Sequence, residues 1–159
     1  MRPEYSEAIQ QAKTSKKSIK KKVQKLRKMR KGAVDDIVHP LHEEAFEHID
    51  CLQCANCCTT TGPLFTDRDI TRISKYLNLK EADFIAQYLR IDEDQDFVLQ
   101  QVPCPFLGED KYCSIYDVRP KACAAYPHTD QVNQIGILAL TIKNATICPA
   151  VARIFENMP

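Results

Sequence analysis

At 159 residues, with 44% hydrophobic and 27% charged side chains, the chain has the makings of one globular domain and is short for two with good cores. No stretch approaches the 18 or so apolar residues of a membrane span, and residues 1–10 carry no signal-peptide run, so a cytoplasmic protein is expected. The formal net charge of +1 conceals an asymmetry: residues 1–31 hold 12 Lys or Arg against 2 acids, and residues 32–159 hold 10 against 19.

The chain therefore divides into a basic helical arm, residues 1–33, and a body, residues 34–159. In the arm, Ile19, Val23, Leu26 and Met29 recur at helical spacing and predict one apolar face. Lys17, Lys21 and Lys25 repel one another at four-residue spacing, so the arm is expected to need a partner surface for full order. A second helical piece spans residues 35–49, interrupted or started by Pro40. After the cysteine-rich segment 51–58 and the turn at Thr61-Gly62-Pro63, Thr66 reads as an N-cap with Asp69 reaching back. Ile70, Ile73 and Leu77 form the buried stripe of that helix, and a third runs over 81–90 with Phe84, Ile85, Tyr88 and Leu89 inward.

An acidic linker, 92–96, leads to an extended run over 97–102. Gly108-Glu109-Asp110 reads as a turn and 112–116 as the return strand of a hairpin. Asp117 is expected to cap a short helix with Pro120 near its start and Cys123 in its body. Residues 135–142 fit either strand or helix, and 149–156 a last helix. The fold class is α+β: predominantly helical with a small β-hairpin, a compact metal-stapled single domain preceded by a basic N-terminal helix. Its core is expected to be thin without the staple.

Eight cysteines, Cys51, Cys54, Cys57, Cys58, Cys104, Cys113, Cys123 and Cys148, are the sharpest feature of the chain. In a reducing compartment clustered cysteines hold metal or do redox chemistry more often than they pair as disulfides. Thiolates three residues apart, as in Cys51-Leu-Gln-Cys54-Ala-Asn-Cys57-Cys58, can converge on one ion. The spacing also matches the first three ligands of a bacterial ferredoxin run, whose fourth cysteine precedes a proline, as Cys104 and Cys148 do here. Neighbouring side chains diverge by about 100° on a helix, so Cys57 and Cys58 are expected to serve different purposes. Either one compact centre or two close together is predicted, stitching residues 51–58 to the hairpin and the C-terminal half. A structural metal site supplies on the order of 10 kcal/mol of folding energy.

Together Cys51-x2-Cys54-x2-Cys57-Cys58, Cys104-Pro-Phe-Leu107, Cys113-Ser-Ile-Tyr116, Arg119-Pro120-x2-Cys123 and Tyr126-Pro127 resemble the CxxCxxCC cysteine-cluster family, the YkgJ-like zinc- or iron-chelating domains, over residues 48–150. The resemblance implies that Cys51, Cys54, Cys57, Cys58, Cys104, Cys113 and Cys123 are metal ligands; Cys148 joins them on its thiol chemistry. It implies zinc, or an iron–sulfur cluster of the kind associated with the similar motif of the larger flagellin lysine methylases. The local spacing leans toward the cluster.

Other residues have plainer readings. His39, His42, Glu43, Glu44 and His48 lack the repeated Glu-x-x-His of carboxylate-bridged iron and are expected to be solvated helix residues. His128 is a candidate substitute ligand or support for one, Arg119 a partner for an acid such as Asp117 or for a helix end, and Tyr116 and Tyr126 core aromatics flanking the metal. Four dispersed glycines, at 32, 62, 108 and 136, exclude phosphate-cradling loops and dinucleotide fingerprints. No catalytic constellation is visible. The functional expectation is a metal-binding protein for redox, electron transfer or metal handling. The alternative is a zinc-stapled interaction module whose basic arm binds nucleic acid or another anionic partner, its own acidic body included.

Overall fold

The computed structural model describes all residues, Met1–Pro159. It is predominantly helical with one small antiparallel sheet. In chain order the elements are α1 (Pro3–Thr14), α2 (Lys16–Leu26), α3 (Ala33–His48), α4 (Cys51–Cys54), α5 (Asn56–Thr60), β1 (Leu64–Phe65), α6 (Asp67–Tyr76), α7 (Glu81–Tyr88), β2 (Leu89–Ile91) and β3 (Phe97–Leu99). A 3-10 turn at Tyr116–Val118 then precedes α8 (Lys121–Ala125), α9 (Gln134–Asn144) and α10 (Pro149–Asn157). The chain folds as two compact units: residues 1–54 with 127–159, and residues 55–126. No single helix is long and apolar enough to cross a membrane.

The first unit is all helical. Pro3, which has no N–H to leave unpaired, starts α1, and Tyr5, Ile9 and Ala12 are its buried side. In α2 the expected stripe is buried at Ile19, Val23 and Leu26. Met29 is not part of it: the helix stops at Leu26, the chain turns toward Gly32 at φ 91°, and Met29 is left exposed. The surface that orders these two helices is supplied by the same unit, α1 lying on α10 and α2 on α9. Lys22 Nζ, on α2, also donates to the carbonyls of Phe155 (2.8 Å) and Glu156 (3.2 Å), the open C-terminal end of α10.

Pro40 neither starts nor interrupts α3, which runs through it. The carboxylate of Asp35 accepts from the N–H groups of Asn133 and Gln134, both at 2.7 Å, and so anchors the start of α9. Burial alone would raise this carboxyl. The two N–H groups outweigh it and hold Asp35 below the usual carboxylate range. The apolar run 135–142 is helix, with Leu138, Thr141 and Asn144 buried on one side. Pro149 begins α10, which buries Ala150, Val151, Ala152, Ile154 and Phe155.

The second unit builds a small sheet in the order β1-β3-β2, with Leu64 and Arg90 both opposite Val98. Its hairpin is β2–β3, not the 97–116 pairing expected from sequence. Asp92 Oδ1 accepts from the N–H groups of Asp94 and Asp96, each at 3.0 Å, and its own N–H reaches the Asp96 carbonyl at 3.0 Å. The acidic run is thus the turn itself. The third helix ends at Tyr88, two residues early, because Leu89 enters the ladder opposite Leu99. The Gly108 turn remains, but it closes only a single bridge, Leu107 to Cys113, before the chain winds into the 3-10 turn. Asp117 lies within that turn instead of capping a helix, and Pro120 is the N-cap residue of α8.

Thr66 and Asp69 form the expected capping box, with Asp69 N–H to Thr66 Oγ1 at 3.2 Å and Thr66 N–H to Asp69 Oδ2 at 2.9 Å. Phe65, Ile70, Ile73, Phe84, Leu89, Leu99, Phe106 and Ile115 close into one buried cluster. Phe84 is its centre, fully buried, with ring centroids of Tyr88 at 5.3 Å and Phe106 at 6.3 Å. The unit thus owns a real apolar core beside its cysteines. Phe84→Ala is expected to cost about 3–5 kcal/mol, read as a lowered midpoint in urea. A loss below about 1 kcal/mol would contradict this picture of the core.

Candidate metal centre

Five cysteines lie in the second unit. Cys57 and Cys58 sit on α5, which is set off from Cys54 by Ala55 in the left-handed conformation (φ 49°), an uncommon state for a residue with a Cβ. The ferredoxin-like run is therefore not one continuous loop or helix. Cys57 and Cys58 have sulfur atoms 4.0 Å apart, closer than the divergence expected of helical neighbours.

The chain then brings three distant cysteines to Cys58. Cys104 N–H donates to the Cys58 carbonyl at 2.7 Å, fastening residue 104 beside α5. The bridge from Leu107 to Cys113 folds the 108–112 turn back, so that Cys113 returns toward Cys104. Cys123 is carried on α8, and its sulfur is near enough to those of Cys58, Cys104 and Cys113 to feel their charge. Cys58, Cys104, Cys113 and Cys123 thus form one electrostatically coupled set of four thiols. No disulfide is present, and no three of the His, Cys, Asp or Glu side chains stand in a coordination geometry.

Local backbone geometry favours the thiolate form at Cys104 and Cys113. Beyond Cys104 the chain turns, with Leu107 N–H on the Cys104 carbonyl at 3.0 Å, and the N–H groups of Phe106 and Leu107 also point at the Cys104 sulfur. Cys113 repeats the arrangement with Ile115 N–H. An N–H directed at sulfur stabilises negative charge there. Burial works the other way and, at Cys113 and Cys123 even against the nearby Arg119 guanidinium, wins: it pushes Cys104 to about 11 and Cys123 to about 12, and raises Cys113. Cys58 is raised chiefly by its hydrogen bond with Cys57, and further by burial. Residue 123 is exposed, whereas Cys58, Cys104 and Cys113 are half-buried. Four protonated soft donors, two of them beside backbone N–H groups, fit zinc or an iron–sulfur cluster, either of which replaces the protons.

The remaining three cysteines belong to the first unit. Cys51 and Cys54 are the two ends of α4, one turn apart. Cys148 is the N-cap residue of α10, 7% exposed. Its thiol is raised to about 12, by burial first and also by the nearby Cys51 and Cys54, while the N–H groups of Ala150 and Val151 act against the shift. Within the first unit these three sulfurs form a thiol group of their own.

A polar bracket holds the 118–121 segment that leads to Cys123. Asp69, whose side chain is 1% exposed, accepts from Thr66 on one oxygen and, on the other, from Arg72 Nη2 (2.6 Å) and from Lys121 N–H (3.0 Å), the first residue of α8. Arg72 in turn donates to the carbonyls of Val118 (3.3 Å) and Arg119 (2.8 Å). Arg119 forms no ion pair with Asp117; its guanidinium stacks 4.0 Å over the Tyr116 ring and donates to the Tyr116 carbonyl at 2.7 Å. Asp69 was visible in the sequence as a capping residue. Its second task was not, because Lys121 is 52 positions away.

Burial disfavours the Asp69 charge, but these donors outweigh it and hold its carboxyl below the usual range. A carboxyl depressed in the folded state adds stability above its unfolded value near 3.9, and loses it as pH falls through the folded value. Asp69→Asn is expected to cost about 2–3 kcal/mol at pH 7 and to flatten the acid limb of the stability curve, measured by urea unfolding from pH 7 to pH 3. Equal losses at both ends would remove the charge from the explanation.

The histidines serve the first unit's scaffold. His39 Nε2 meets the Gln131 carbonyl at 2.9 Å, and His42 Nδ1 the Thr129 hydroxyl at 2.8 Å, with the His42 ring 4.6 Å from Phe46. Burial, first among the causes, lowers the His42 value. His128, at φ 69°, lies 3.2 Å from Gln131 Nε2 through its Nδ1.

Comparison with known proteins agrees with the thiol chemistry. Residues 50–149 match the family model CxxCxxCC, described as "Putative zinc- or iron-chelating domain". Over 94 residues the chain is 34% identical to "Uncharacterized protein MJ0661" of Methanocaldococcus jannaschii, a match covering 57% of this chain and 50% of that protein. The chain thus spans about half the length of this relative. No solved structure matches. Because the matched region takes in every one of the eight cysteines and well over half of the chain, this protein belongs to the CxxCxxCC family of zinc- or iron-chelating domains.

Proposed function

We propose that this protein binds a transition metal through Cys58, Cys104, Cys113 and Cys123, and that the centre serves redox chemistry or metal handling. The supporting observation is the set of four mutually coupled thiols, two of them already receiving backbone N–H groups. Such donors stabilise thiolate ligands and, around an iron–sulfur cluster, tune its potential. An iron–sulfur cluster is the first assignment: the centre lies beside a complete apolar core, so the fold does not depend on a structural ion for its only staple. Bound there, the cluster would supply one-electron transfer; zinc in its place would be structural. The thiols at Cys51, Cys54 and Cys148 are proposed as a second ligand group and Cys57 as a neighbour that adjusts Cys58.

Anaerobic purification followed by metal analysis and a visible spectrum tests the assignment. Brown protein with iron, sulfide and a broad band near roughly 400 nm supports the cluster. Colourless protein with stoichiometric zinc replaces redox chemistry by a structural role. Protein free of both metals, yet folded, removes the proposal.

A further inference from the structure

Residues 8–34 contain 11 Lys or Arg and no Asp or Glu. Within this stretch Lys13, Lys16, Lys17, Lys20, Lys21, Lys25, Arg27, Lys28, Arg30 and Lys31 are all exposed. Only Arg30 forms an ion pair, with Asp36 at 3.9 Å, both partners largely in solvent, and Lys31 lies near Asp35 without one. A row of cations this dense repels itself and costs stability. It persists here because the helix beneath it is held by other means: Ile19, Val23 and Leu26 are at most 5% exposed, and Lys22 is turned onto the end of α10.

The buried stripe also fixes where the lysines stand. At about 100° per residue, Lys17, Lys21 and Lys25 fall within about 60° of the side opposite the buried three. They form a ridge with steps of about 6 Å, continued by the cationic turn after Leu26. That step is close to the spacing of phosphates along a nucleic-acid strand. A lipid surface suits this helix less well. An interfacial helix inserts its apolar face among the acyl chains, and in α2 that face is already buried within the protein. The ridge carries no aromatic side chain to stack on bases, so recognition would be of the phosphate backbone and not of sequence.

We propose that the exposed ridge of α2 with the turn after it is a nucleic-acid docking surface, engaging the phosphodiester backbone without sequence preference. This is independent of which metal the cysteines hold.

The test uses the full-length protein as purified, and a fluorescein-labelled 20-nucleotide RNA and 20-base-pair DNA duplex, followed by anisotropy from 50 to 200 mM salt. Binding to either probe is expected, with log K falling against log salt at a slope of about −3 to −5, as for four to six neutralised phosphates. The triple variant Lys17→Gln, Lys21→Gln, Lys25→Gln should reduce the slope by about 2 to 3 and the affinity at 50 mM salt by at least about 30-fold. Its circular dichroism and metal content should not change. A control, Lys75→Gln with Lys80→Gln, removes two exposed cations of α6 and its following loop and should leave the slope as it was. The proposal is overturned by absence of salt-dependent binding to both probes, or by equal losses in the triple variant and the control. It is equally overturned if the protein binds only vesicles of phosphatidylserine.

Discussion

Cys113→Ser is expected to lose the metal of the second unit, with affinity weaker by at least about 100-fold. In the proposed centre of Cys58, Cys104, Cys113 and Cys123, Cys113 would be one of four donors. Serine keeps the size but replaces a soft thiolate by a hydroxyl that does not ionise near neutrality. Losing a residue that merely hydrogen-bonds a ligand already costs 10–100-fold, so losing a ligand sets that as the floor. Stability should fall with the metal, since binding energy is coupled to folding. The informative control is Cys54→Ala, which removes a member of the thiol group of Cys51, Cys54 and Cys148. If both variants lose metal to the same degree, the two thiol groups are one functional centre and their separation is wrong. If Cys113→Ser keeps its metal, the four-thiol assignment fails. Metal per chain after gel filtration, with the melting temperature of each variant, reads out all three cases.

A second large effect is the proton balance of metal uptake. With Cys104 pushed to about 11, Cys123 to about 12, and Cys58 and Cys113 raised as well, all four thiols carry protons at neutral pH when no metal is bound. Binding needs thiolates, so the protons must leave as the metal arrives. The sign is then fixed: acid opposes uptake and alkali favours it. Each proton released contributes about tenfold in affinity per pH unit, so four protons approach about 10,000-fold per unit between pH 6 and 8. Cobalt(II) is a convenient probe because its thiolate complexes absorb in the visible, and titrating the metal-free protein at several pH values gives the slope. Calorimetry in two buffers of different ionisation enthalpy gives the proton count independently. Release of fewer than two protons per cobalt would mean that the thiolates are formed in advance, against the burial that raises them.

These expectations draw unevenly on sequence and structure. Helical spacing disclosed the apolar face of α2, the capping pair Thr66 and Asp69, and the closing helix α10. Each depends on side chains three or four positions apart, where the backbone itself sets the geometry. The hairpin was misplaced because the acidic run 92–96 reads as a linker until Asp92 is seen accepting two backbone N–H groups. The run 135–142 had no period strong enough to separate strand from helix, and its surroundings chose helix. Met29 kept the spacing of the stripe but lay beyond the end of the helix.

By itself the sequence determined the chemistry: eight thiols in the pattern of a zinc- or iron-chelating family, and a cationic stretch with an apolar face beneath it. Only the tertiary structure decided how those thiols are grouped, putting Cys58 with three partners 46 to 65 positions away and Cys148 with Cys51 and Cys54. The physical reason is range. Thiol chemistry and helix periodicity are local properties written into residue type and spacing. Which sulfurs meet depends on turns, bridges and the Asp69 bracket, whose strength comes from groups that are neighbours in space alone.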